Sequence, residues 1–108
     1  GLLGAIAIAL GAFGAHGLKE RLASIPEALG WWETATFYLL THAVAIGAIA
    51  ARSALPARLW AMGSAIFAGT LYAMALGAPR WFGAITPIGG SMLIAGWVVL
   101  AWTARKES

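Results

Sequence analysis

Apolar residues fill the chain in four long runs, separated by short stretches where charges, prolines and glycines collect. The charge-free runs cover residues 1–18, 34–51, 59–79 and 81–104, with one histidine near the end of the first and another inside the second. A helix rises about 1.5 Å per residue, so a bilayer core of about 30 Å takes about 20 apolar residues. The third and fourth runs meet that requirement directly. The second meets it once Trp32 and Glu33 are placed at the interface. The first is short, about 24 Å if it ends at His16. The pattern predicts an all-α integral membrane four-helix bundle, a single four-span domain with helices over about residues 2–16, 31–51, 57–76 and 82–104. The first run lacks a basic start and is followed by three further spans, so it reads as a span and not as a secretory signal. The chain opens on Gly1, which leaves room for residues ahead of it.

The connections carry local signals. Gly17 suits a left-handed cap after the first helix, and Lys19 and Arg21 sit near the negative end of its dipole. Leu18, Leu22, Ile25 and Leu29 recur at helical spacing, which predicts a short interfacial segment between helices 1 and 2. Within it, Ser24, Pro26 and Glu27 form a capping-box start, and a further turn is expected near Gly30. RSALPAR, residues 52–58, allows only a tight antiparallel turn. Pro87 removes a backbone donor inside TPIGG, so a kink is expected in the fourth helix.

Composition supports lipid as the solvent. Hydrophobic residues make up 61% and charged residues 10%, against roughly 25% charged in a soluble domain. Asp, Asn and Gln are absent. Trp31, Trp32, Trp60, Trp81 and Trp102 fall at or near the edges of the runs, as an aromatic belt requires, and Trp97 is the exception. Without cysteine there is neither a disulfide nor a thiolate metal site. A formal charge of +3 is too small and scattered to bind nucleic acid. With both termini in the cytoplasm, that side holds Arg52, Arg58, Arg105 and Lys106, against Lys19, Arg21 and Arg80 opposite, which favours N-in/C-in.

Small residues mark the surfaces where membrane helices approach closely. The third helix offers Ala61, Ala65, Gly69, Ala73 and Gly77 at every fourth position. The first offers Ala7, Gly11 and Ala15, with Gly4 and Gly14 nearby, and the fourth offers Gly89, Gly90 and Gly96. These stripes predict packing within the bundle, or an interface to a second copy or a partner membrane subunit.

The polar residues are few enough to take one by one. His42 lies about 15 Å along the second helix. An ionisable group at that depth is a functional candidate by default. Thr34, Tyr38 and His42 are four apart and stack on one face, which is expected to look inward, with Thr41 adjacent. A neutral His42 bonded to a neighbouring helix is the plain alternative to a ligand, relay or cofactor role. His16 ends the first helix near a membrane face, either capping carbonyls or pairing with Glu33 in a pH-sensitive contact. Two histidines without cysteine or aspartate are a thin ligand set for zinc or haem. Arg80 precedes the fourth helix near Thr86, as a headgroup anchor or, with Lys19 and Arg21, an anion site. The break at TPIGG is a second candidate, since transporters hold substrates at broken helices.

Several strings resemble a known family. GAFGAHGL (11–18), WWETATFYLLTHAVAI (31–46), the GTLY within FAGTLYAMALG (67–77), and ITPIGG (85–90) followed by AGW (95–97) are similar to the domain of unknown function 423. That family takes in small four-helix membrane proteins of the YgdD and transmembrane protein 256 kinds. The likeness spans nearly the whole chain in order. It implies the four-helix fold and a membrane location, the bacterial inner membrane, and implies no activity. Where the resemblance leads us to expect a glutamine after Tyr38, the chain carries Leu39.

No nucleophile–base pair, phosphate loop or carboxylate pair can be assembled, so catalytic residues, a cofactor and a bound metal are not expected. The reading is a structural or accessory membrane protein that partners with lipid, with itself or with other subunits. The alternatives are an oligomeric transporter or channel component with a polar path around His42, and a cofactor- or metal-binding protein using His16 and His42.

Overall fold

The computed structural model describes residues 1–16, 23 and 25–107, with the side chains of 15, 16 and 104–107 outside the description. Among the described residues the chain is helical and holds no strand. Helix α1 spans Leu2–His16, α2 spans Ala28–Ile49 and α3 spans Ala54–Ala75. A short 3₁₀ segment at Arg80–Ala84 leads into α4, Thr86–Glu107.

The helix limits have local causes. Helix α2 starts at Ala28, ahead of the expected residue 31, so Gly30 lies inside the helix and not at a turn. Ser24 lies outside the described residues, and the Glu27 carboxylate makes no cap hydrogen bond. Pro56 falls in the first turn of α3, where a backbone N–H has no helical partner to lose. Helix α3 ends at Ala75 and is capped by Gly77, whose φ of +107° only glycine adopts cheaply. The Ala78 N–H then reaches the Ala73 carbonyl at 2.9 Å and the Gly77 N–H reaches Met74 at 3.0 Å, closing a Schellman cap.

The expected kink at Pro87 is corrected. Pro87 is the second residue of α4, so it opens a helix and does not bend one. The break lies before it, where the 3₁₀ segment ends at Ala84.

Helix packing runs between neighbours in the chain: α1 on α2, α2 on α3, and α3 on α4. The neighbours are antiparallel, as the contacts show. Along α2, Thr36 meets Tyr72 while His42 meets Trp60. Along α4, Thr86 meets Thr70 while Leu93 meets Trp60. The molecule is flattened, with principal extents of 51 × 27 × 15 Å. The arrangement is a curved row in which α3 packs on both α2 and α4. Trp60 of α3 is fully buried at the middle of the curve. One core cluster gathers Ala7, Ala35, Leu39, Ala68, Leu71 and Met74, and a second joins Ala28, Trp32 and Ala75. Leu39, the position of the expected glutamine, is core.

Candidate functional site

The polar centre of the molecule is a set of rings around Trp60. His42 of α2 is only 4% exposed. Its Nδ1 lies 2.8 Å from the carbonyl of Tyr38, one turn back. Its Nε2 lies 3.1 Å from the indole nitrogen of Trp97 on α4. A carbonyl only accepts and an indole N–H only donates, so the ring is the neutral imidazole with its proton on Nδ1. Trp60 stands beside both partners, with ring centroids 5.9 Å from His42 and 4.4 Å from Trp97. Its own N–H donates to the Leu93 carbonyl of α4 at 3.2 Å.

This cluster explains Trp97. A tryptophan away from the membrane edge has no interfacial role, and here it supplies the donor that His42 needs. It also corrects the aromatic belt. Trp81 and Trp102 are exposed and Trp31 is half-buried, but Trp32 and Trp60 are buried. Trp32 donates to the Leu10 carbonyl of α1 at 2.7 Å.

The ladder Thr34, Tyr38, His42 does not face inward as a unit. Four residues turn a helix by about 400°, so such a row drifts about 40° per step. His42 is buried, Tyr38 is 39% exposed, and Thr34 is on the outside. Thr41 is also outside and folds back onto the Phe37 carbonyl. The threonine that does reach inward is Thr36, 2.6 Å from the Tyr72 hydroxyl. Thr36 and Tyr72 lie 36 residues apart, so local spacing does not reveal their pairing.

Two further pairs tie the far ends together. Thr86 and Thr70 share a hydroxyl–hydroxyl hydrogen bond between α4 and α3, and Thr70 also reaches the Ile66 and Phe67 carbonyls. Arg80 pairs with Glu27 at 3.1 Å and lies over the Trp31 ring. Arg80 and Thr86 are therefore not brought together, and the Arg80 charge is met by a carboxylate. Lys19 and Arg21 lie outside the described residues, as does the side chain of His16. Glu33 is exposed and borders a cavity of about 270 Å³ between α1 and α2, with Trp32, Thr36 and Gly14. No group of three metal-ligating side chains occurs among the described residues.

The small residues divide sharply. On α1, Gly14 lies against the Trp32 indole and Gly11 against Thr36; the side chain of Ala15 is outside the description. On α4, Gly96 lies against Trp60, and Gly89 meets the backbone of Gly63 and Phe67. The α3 stripe does otherwise. Ala61, Ala65 and Gly69 are on its exposed face, Ala73 is half-buried, and Gly77 is the cap. The packing face of α3 instead runs through Ala57, Trp60, Gly63, Ser64, Ala68 and Leu71.

A second cavity, of about 260 Å³, opens between α2 and α4 beside the ring cluster. Tyr38, His42, Phe67, Gly90, Ile94 and Trp97 line it, with Leu93.

Comparison with known proteins places these features in a family. The family described as protein of unknown function DUF423 matches residues 10–90. A UPF0382 membrane protein of Haemophilus influenzae is 42% identical, over 98% of this chain and 90% of its own length. One from Staphylococcus epidermidis is 40% identical, over 97% and 93%. The UPF0382 inner membrane protein YgdD of Escherichia coli is 34% identical, over 90% and 79%. No solved structure matches. The chain is accordingly a membrane protein, and the inner membrane is its location. With three quarters of its length matched and relatives of this identity along nearly all of it, the chain belongs to the DUF423 family.

Proposed function

We propose that the chain crosses the inner membrane four times, with both termini in the cytoplasm, and serves there as a structural or accessory subunit. The observation that carries this reading is where the polar side chains go. Trp32 closes on α1, Thr36 on Tyr72, His42 on Trp97, Trp60 on Leu93, and Thr70 on Thr86. Each joins one helix to another. A substrate path needs polar groups left open along it, whereas these are spent on fastening.

The outer faces support lipid contact. Ile8, Phe37, Val44, Met62, Ile94 and Val98 are all exposed. One stretch, Arg80–Thr103, is long and apolar enough to cross a membrane on length and composition alone. Helices α2 and α3, at 22 residues each, span about 33 Å. Helix α1, at 15 residues, spans about 22 Å and crosses with local thinning of the bilayer. The side holding Arg52, Arg58, Arg105 and Lys106 is the cytoplasmic one.

A second copy or a partner helix would seat on α3, where Ala61, Ala65 and Gly69 leave a shallow exposed face. Native mass measured in gentle detergent tests this. The expected mass exceeds one chain and falls to one chain in Gly69→Leu. A wild-type mass of one chain with no co-purifying subunit contradicts it.

A further inference from the structure

We propose that the cleft between α2 and α4 binds a flat, uncharged, carbonyl-bearing ring carried in the lipid phase, the chemistry of a quinone head. Four observations lead there, and none requires a partner chain.

The first is a hydroxyl. With Glu33 at the interface, Tyr38 lies about 8 Å into the membrane, one turn shallower than His42. Its hydroxyl has no hydrogen-bond partner among the described residues, unlike that of Tyr72, which Thr36 engages. A lone O–H in hydrocarbon is costly, because lipid tails offer no acceptor. An occupant with a carbonyl would satisfy it.

The second is the wall. Tyr38, Phe67, Trp97 and the His42 imidazole all line the cleft. Their rings sit at different tilts, with Tyr38 and His42 nearly parallel at 17° and Tyr38 and Phe67 at 60°. Such faces favour a planar aromatic or quinonoid guest over a flexible chain. His42 has both nitrogens engaged, so it contributes a ring face and no charge.

The third is Gly90. A Cβ on Gly63, Gly89 or Gly96 would run into a neighbouring helix, so helix packing accounts for those glycines. A Cβ on Gly90 would stand 3.5 Å from the Phe67 ring, an ordinary contact. Packing does not demand a glycine there, and its absence of side chain leaves the cleft open.

The fourth is size. A volume of about 260 Å³ is just under the usual range of small-molecule pockets, about 300–1,000 Å³. It takes one substituted ring, with the tail left in lipid through the open side.

The test uses the full chain in phospholipid nanodiscs, titrated with a dimethoxy-methyl-benzoquinone bearing a ten-carbon tail. The readout is the NMR signal of the Trp97 indole N–H, assigned by its loss in Trp97→Phe. The expected result is a saturable shift. Tyr38→Phe should weaken binding at least tenfold at unchanged thermal midpoint. Gly90→Leu should abolish binding, and Gly90→Ala, which adds only an ordinary contact, should weaken it while the chain stays folded. A linear, unsaturable shift would overturn the proposal. So would an equal shift from decane, or binding indifferent to Tyr38→Phe and Gly90→Ala.

Discussion

The indole N–H of Trp97 meets Nε2 of His42 across 3.1 Å, and this bond joins α4 to α2 where the two flank Trp60. Hydrogen bonds between membrane helices average about 0.6 kcal/mol and reach about 1.7 kcal/mol. A double-mutant cycle with His42→Ala and Trp97→Phe, read by reversible unfolding in micelles, should give a coupling in that range. Additive losses would mean that the two side chains do not act as a pair.

Two glycines six residues apart on α3, Gly63 and Gly69, should behave oppositely. A Cβ on Gly63 would lie 2.8 Å from the Gly89 carbonyl oxygen, and one on Gly89 would lie 2.5 Å from the Phe67 nitrogen. These are backbone atoms, so α3 and α4 must separate. Gly63→Ala and Gly89→Ala should each cost about 1–3 kcal/mol, the usual range for overpacking. Gly69 faces open space. Gly69→Ala should leave the single chain unchanged or raise its stability by up to about 1 kcal/mol through helix propensity. Thermal unfolding of the three variants side by side decides the matter.

That contrast shows how far the sequence can be read. The four apolar runs locate the helices, and small residues announce close packing. They do not say which of two faces is used. On α3 the regular four-residue stripe through Ala65 and Gly69 is the conspicuous one, yet packing follows Trp60, Gly63 and Leu71. A row with neighbours on two sides mixes large and small residues, and its pattern fades. His42 is legible as a buried histidine, and Trp97 as a tryptophan out of place. Their pairing is not, because 55 residues separate them. The drift of a four-residue row carries Thr34 out of the site, while Thr36 and Thr70 enter through contacts between helices that no local spacing encodes.

Ser64 offers a check on the accounting of polar groups. Its hydroxyl is buried with no hydrogen-bond partner among the described residues. Ser64→Ala removes an unmet group, so stability should hold or rise by up to about 1 kcal/mol. Thr70→Val, by contrast, deletes a shared bond to Thr86 and should cost about 1 kcal/mol. Unfolding of both variants in the same detergent makes the comparison.

The ion pair of Arg80 and Glu27 is exposed on both sides. Exposed pairs contribute little, about 0–1 kcal/mol, and salt screens them. Glu27→Gln should therefore shift the unfolding midpoint only slightly, and the shift should shrink between low and high salt. A large, salt-independent loss would assign Glu27 a different role.

Four crossings in lipid are the premise on which the fastening role rests. The chain contains no cysteine, so single cysteines can be placed and labelled cleanly in intact cells and inverted vesicles. Ser53→Cys lies between α2 and α3, and Ala78→Cys between α3 and the 3₁₀ segment. A membrane-impermeant maleimide should label Ala78→Cys from outside the cell and Ser53→Cys only from the cytoplasmic face. Labelling of both positions from the same face would contradict the account.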